Sequence, residues 1–169
     1  ADMQWQKLKL ALIDERFVPL TDSQSNEANI ANAFTGVQQQ LGAWQGLFSA
    51  SDTISACAQA ANRAIQAFGL PFDTTVIGMG GDGHIASLFL ESQDYEAAMQ
   101  PDNPHTVVPI RFHGSDAKTD RLSMSFQALL KTRHVLICIT GEQKREVLER
   151  SLDGSAPYYA VARFLEAYD

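Results

Sequence analysis

Residues Thr74 to Phe89, read as TTVIGMGGDGHIASLF, constrain this chain more than any other stretch. A β-branched run, Thr75-Val76-Ile77, gives way to a loop with four glycines in six positions: Gly78, Gly80, Gly81 and Gly83. Such a backbone bends tightly and lets a ligand come close, as happens where a buried parallel strand ends. The residues after His84 read as the start of a helix, which would aim loop amides at an anion. His84 then sits where proton transfer near neutral pH is available. The plainer reading is a histidine that caps or packs at the helix start. Four glycines with no packing role to explain them favour catalysis. His105, His113 and His134 have no such setting and read as structural or surface residues.

An anion site in a chain of net charge -7 has to be a local basic pocket. The acidic balance argues against a nucleic acid or an anionic membrane as partner. With 169 residues, 45% hydrophobic and 20% charged, the chain suits one domain with a sizeable core, residues 1–169. No stretch approaches the ~20 apolar residues of a membrane span, and no signal-peptide pattern opens the chain. Cys57 and Cys138 are expected as buried, reduced thiols, in a helix and a strand, which suits a cytoplasmic setting. They form no metal-ligand spacing, and no metal is expected.

Leu8 to Ile13 reads as a strand with Asp14-Glu15-Arg16 at its carboxyl end, where open α/β sheets bind ligands. A solvated loop with a local ion pair is the alternative. The polar Thr21–Asn26 segment precedes a helix with Ile30, Phe34, Val37 and Leu41 on one face. Gly42 to Ser51 is expected as loop, with Trp44 and Phe48 for packing. A second helix, capped by Ser51 or Asp52, carries Ile54, Cys57, Ala58, Ala61, Ile65 and Phe68. His105–Ile110 reads as a short edge strand because of Pro109, and Arg121–Phe126 alternates at period two. His134–Thr140 is the most apolar run and is expected as a central strand. Helices follow from Glu142 and near Pro157. This alternation implies an α/β fold, a doubly wound, mostly parallel Rossmann-like sheet with helices on both faces. The strand-end loops then bring Asp14, Arg16, the glycine loop with His84, and Gly141 with Lys144 to one pocket. Gly78-x-Gly80-x-x-Gly83 also satisfies a dinucleotide fingerprint, but Asp102, the acid at the required offset, lies in a Pro/Asn-rich loop with no strand before it. The cations Arg16, Arg121 and Lys144 suit a terminal phosphate better.

Four motifs occur in order: Asp14–Pro19 with Asp22, Ser25 and Asn26; Gly78–Phe89; Arg121–Ser125; and Gly141–Lys144. Together they resemble the 6-phosphogluconolactonases, within the glucosamine-6-phosphate isomerase/deaminase-like superfamily. The deaminases share the Asp82-Gly83-His84 core but resemble D-E-Y and F-N-E-P where this chain has Asp14-Glu15-Arg16 and Ala86-Ser87-Leu88-Phe89. Leu90 stands where the family usually has proline. The resemblance covers the family's middle and C-terminal part. Its first strand–helix unit, with a Ser/Thr-Gly-Gly phosphate loop, and its last strand are expected to be lacking, which leaves a sheet edge open to pairing with another copy.

The resemblance implies hydrolysis of 6-phospho-D-glucono-1,5-lactone to 6-phosphogluconate, in the pentose phosphate pathway, with no cofactor. His84, Asp82 and Arg16 would be catalytic, with His84 as general base and loop amides around Gly80–Gly83 stabilising the oxyanion. Asp14, Asn26, Gly78, Gly80, Gly81, Gly83, Arg121 and Lys144 would contact the substrate. An amino-sugar-phosphate deaminase or isomerase, or a catalytically silent sugar-phosphate-binding module, are the alternatives.

Overall fold

Short apolar runs separated by capping residues fold as strands and helices around a single hydrophobic core. The computed structural model describes residues 3–113 and 118–168. In chain order its elements are β1 (Lys9–Ala11), β2 (Asp14–Arg16), α1 (Asn26–Ala33), β3 (Ala43–Gln45), α2 (Ile54–Phe68), β4 (Phe72–Gly78), α3 (Tyr95–Ala98), β5 (Val107–Ile110), β6 (Arg121–Met124), α4 (Phe126–Leu130), β7 (Thr132–Cys138), α5 (Glu142–Leu152) and α6 (Ala160–Ala167).

The fold is mixed α/β. Two parallel pairs carry the strand–helix alternation: β1 with β3, where Leu10 faces Trp44, and β4 with β7, where Gly78 faces Cys138. Beside them lies an antiparallel sheet in the order β2-β6-β5, which the alternation did not anticipate. It forms because the chain turns away after Ile13, so that Asp14 pairs with Ser123 and Arg16 with Arg121. On the outer strand β5, Pro109 sits opposite Leu122, a place where a missing N–H is tolerated.

Helix α2 anchors the core. Its apolar stripe buries Ile54, Cys57, Ala58, Ala61 and Ile65, and Gly69 follows its last turn with φ +105°. Neither Ser51 nor Asp52 caps it. Thr53 has the extended backbone a cap needs, and its hydroxyl accepts from the Ala56 N–H at 3.2 Å. On the same helix Asn62 Oδ1 accepts from the Thr106 and Val107 amides at 2.7 and 3.2 Å, tying β5 to α2.

Three further expectations are corrected. The expected loop Gly42–Ser51 contains β3, a strand too short to show a period and formed by pairing with β1. β7, the most apolar run, pairs only with β4 among the described residues and exposes Leu136 and Cys138. Apolar content marked a strand there but not its place in the sheet, so only Cys57 is a buried thiol. The stripe expected on the first helix breaks because α1 ends at Ala33, and none of its residues is fully buried. Among the described residues, no helix is long and apolar enough to cross a membrane, and no cluster of His, Cys, Asp and Glu could hold a metal ion.

Candidate active site

The glycine loop closes on itself. Met79 bridges Ile85 in antiparallel fashion, the Gly80 N–H donates to the His84 carbonyl at 2.9 Å, and the Gly83 N–H donates to the Gly80 carbonyl at 3.1 Å. Two of the amides expected to receive an oxyanion are therefore used inside the turn. The expected helix after His84 does not form. Ile85 is held in the bridge, Ala86 takes a left-handed backbone with φ +49°, and the Ser87 N–H donates to Ser123 Oγ at 3.1 Å. Each of these removes a residue from a helical hydrogen-bond ladder.

Two of the glycines also have steric reasons that sequence reading missed. A Cβ on Gly80 would lie 2.1 Å from His84 Cε1, and one on Gly83, at φ +76°, would lie 2.5 Å from Tyr159 Cγ. Gly80→Ala is accordingly expected to displace the imidazole. Loss of the strongly downfield Nδ1 proton resonance in 1H NMR would report it, and retention of that signal would refute the packing argument.

His84 rests on the Phe89 ring, with centroids 3.8 Å apart, and its Nδ1 lies 2.5 Å from Asp82 Oδ1. The hydrogen bond from His84 is the main cause that lowers the Asp82 carboxyl to about 2. Asp82 is thus ionised at neutral pH and accepts the Nδ1 proton, which leaves Nε2 as the nitrogen able to take a proton.

The strand β2 sorts its three charges by period two. Asp14 and Arg16 face a cavity, while Glu15 points the other way and is fully buried. The Glu15 carboxyl accepts from the amides of Arg16, Asn26 and Glu27, each at 2.7 Å, and from Ser25 Oγ at 3.2 Å. It gathers the start of α1, where orphan N–H groups favour an acid. Sequence reading named Glu15 within a motif but gave it no role.

The cavity, of about 310 Å³, is lined by Asp14, Arg16, Asn26, Gly78, Gly80, His84, Arg121 and Lys144, together with Ile13, Met79 and Ala86. Its size falls in the range of about 300–1,000 Å³ typical of small-molecule sites. Asp82, Gly81 and Gly83 do not line it: Asp82 stands behind His84, Gly81 lies against Gln143 and Gly83 against Tyr159.

Arg16 Nη1 donates to the Gln24 carbonyl at 3.1 Å and to Asn26 Oδ1. Asn26 Nδ2 in turn donates to the Asp14 carbonyl at 3.2 Å. The Arg121 guanidinium lies over the Phe89 ring, 4.9 Å from its centroid. Both arginines keep a buried Nε without a partner among the described residues. Burial first and Arg16 second push the Arg121 guanidinium down from its ordinary value. Two guanidinium groups and a lysine facing one carboxyl leave this cavity positive in an acidic chain, a setting that favours an anion.

Ser87, to which sequence reading assigned no role, donates from Oγ to Asp14 Oδ2 at 2.7 Å. Burial raises the Asp14 carboxyl above its ordinary 3.8, against the opposing pull of Ser87, Arg121 and Arg16. A folded state that holds this proton more tightly has its full contribution below 3.8 and loses it as pH rises through the raised value. Asparagine cannot ionise. Thermal melts of Asp14→Asn should therefore gain on the unmodified chain as pH rises from below 3.8, and a pH-independent difference would refute the shift.

Fold and cavity together define an α/β protein with a histidine–aspartate pair beside a small cavity lined by Arg16, Arg121 and Lys144. The sequence profile of the family described as glucosamine-6-phosphate isomerases/6-phosphogluconolactonase matches residues 1–166. The chain belongs to that family. It is 32% identical over 150 residues to the 6-phosphogluconolactonase of Rhizobium meliloti, covering 89% of this chain and 64% of that one. It is 28% identical over 145 residues to that of Mesorhizobium japonicum, covering 86% of this chain and 60% of that one. The chain thus spans less than two thirds of the length of these two relatives. The structure of a 6-phosphogluconolactonase from Shewanella baltica superposes with a TM-score of 0.88 at 27% identity, over 100% of this chain and 71% of that one. A monomeric glucosamine-6-phosphate deaminase shares the fold, with a TM-score of 0.76 at 16% identity.

Proposed function

We propose that this chain hydrolyses 6-phospho-D-glucono-1,5-lactone to 6-phosphogluconate in the cytoplasm, with His84 as general base. The observation that carries the reading is the ionised Asp82 holding His84 Nδ1 while His84 lines a cavity with Arg16, Arg121 and Lys144. The kinship with relatives named 6-phosphogluconolactonase supports it.

In this mechanism His84 Nε2 takes a proton from a water as its oxygen bonds to the lactone C1. Charge moves to the carbonyl oxygen, where a cation of the cavity stabilises it. The intermediate collapses, the bond from C1 to the ring oxygen breaks, and the proton passes from His84 to that oxygen. Asp82 is a positioning residue that fixes the imidazole tautomer. Arg16, Arg121 and Lys144 divide between the 6-phosphate and the lactone oxygen. Asp14 and Asn26 meet sugar hydroxyls, and the Gly78 and Gly80 backbone forms the floor. The Gly81 and Gly83 positions shape the loop rather than touch the substrate.

The test measures consumption of freshly generated lactone above its spontaneous hydrolysis, alongside ammonia release from glucosamine 6-phosphate. Faster lactone loss with no ammonia is the expected result. Ammonia release would replace the reading with a deaminase. Binding of 6-phosphogluconate without lactone turnover would replace it with a silent sugar-phosphate-binding module.

A further inference from the structure

One aromatic ring joins two groups of the cavity that come from different parts of the chain. Phe89 closes the glycine-loop motif and is 2% exposed. Its N–H donates to the Ser87 carbonyl at 3.1 Å, its carbonyl accepts from the Ser92 N–H at 3.0 Å, and the Phe112 ring meets it edge-on at 5.4 Å. The ring is thus held by its own backbone and by a neighbour just past β5. His84, from the preceding turn, rests on it with centroids 3.8 Å apart, and the Arg121 guanidinium, from β6, lies over it at 4.9 Å. Polar partners hold the other two: Asp82 holds His84, and Asn26 with the Gln24 carbonyl holds Arg16. Arg121 differs. Among the described residues its side chain has no hydrogen bond or ion pair, and its buried Nε has no partner. An aromatic face attracts a cation through its quadrupole and takes up none of its N–H donors. Lys118 Nζ also lies over the ring, at 4.1 Å, but Glu91 matches its charge.

We propose that Phe89 is a positioning residue that seats the His84 imidazole and the Arg121 guanidinium on one ring, leaving the Arg121 donors free for a bound anion. Both groups then stand in fixed relation before a ligand arrives. Less freedom is lost on binding, and the base meets a substrate that is already oriented. Leucine would fill part of the same space but offers neither a flat surface nor a quadrupole. The bearing on turnover rests on the hydrolytic reading. The seating itself does not, and the measurements that decide it need no turnover, so the two fail separately.

The probe is inorganic phosphate, titrated into the chain and followed by 15N NMR. Phe89→Leu should weaken its binding roughly 2–30-fold, the strength of one cation–π contact. Replacing Phe89 with 3,4,5-trifluorophenylalanine keeps the ring's shape but draws charge from its face, and should weaken binding as well. In an Arg121→Met background neither change should cost further affinity. In a Lys144→Met background both should cost as much as before, because Lys144 lines the cavity but lies over no aromatic ring among the described residues. The downfield Nδ1 proton signal of His84 should vanish in Phe89→Leu and persist with the fluorinated ring, where the flat surface remains. Equal losses in the Arg121→Met and Lys144→Met backgrounds would make Phe89 a packing residue and overturn the proposal. So would unchanged phosphate affinity with the fluorinated ring, survival of the Nδ1 signal in Phe89→Leu, or no phosphate binding by the unmodified chain.

Discussion

Replacing His84 with alanine is expected to lower lactone turnover by about 10²–10⁴-fold, the usual contribution of a positioned general base, with affinity for 6-phosphogluconate retained. The expectation follows from the division of labour in the cavity. The charges that would hold a sugar phosphate come from β2, β6 and α5, through Arg16, Arg121 and Lys144. His84 comes from the separate turn after β4 and hydrogen-bonds Asp82, which lies outside the cavity. Removing the imidazole should spare the binding cations while leaving water without a base. Steady-state kinetics with isothermal titration of the product separates the two effects. Equal loss of turnover and affinity would make His84 a binding or folding residue.

The second large effect concerns stability. Glu15→Ala should cost about 3–5 kcal/mol, the scale of breaking a buried charged hydrogen-bonded interaction. Its carboxyl serves three backbone amides and the Ser25 hydroxyl, and no other side chain acceptor reaches the Arg16, Asn26 or Glu27 amides among the described residues. Glu15→Gln should be nearly as damaging. Each carboxyl oxygen receives two of those donors, so an amide nitrogen in either place would face donors with a donor. Urea unfolding reads both variants as a lower midpoint at unchanged slope. A loss below about 1 kcal/mol, the scale of one ordinary hydrogen bond, would mean that water replaces the carboxyl and that Glu15 is not the clasp of α1. Because Asn26 opens that helix and bonds Arg16, the same change should also weaken sugar-phosphate binding.

Local composition marked the strands β1, β4, β5 and β7 through apolar or β-branched runs, β6 through its period-two alternation, and α2 through its stripe and closing glycine. It also marked the residues of the candidate site through glycines, charges and a histidine gathered at strand ends. Those signals sit in adjacent side chains, so they survive in one dimension. What lay beyond them depended on neighbours far along the chain. Ser123, 36 positions on, takes the Ser87 amide. With the bridge at Ile85 and the left-handed Ala86, that bond turns an expected helix start into a run of turns. Tyr159 and His84, not a ligand alone, explain why Gly83 and Gly80 lack side chains.

By itself the sequence determined much of which segments extend, which coil and which side chains carry charge or can move a proton, because propensity, periodicity and residue chemistry are local. Only the tertiary structure decided that Glu15 turns inward between two residues of the cavity, that Asp82 stands behind His84, and that Cys138 is exposed. Those outcomes depend on pairing partners and on which face is buried, and both are set by contacts between distant parts of the chain.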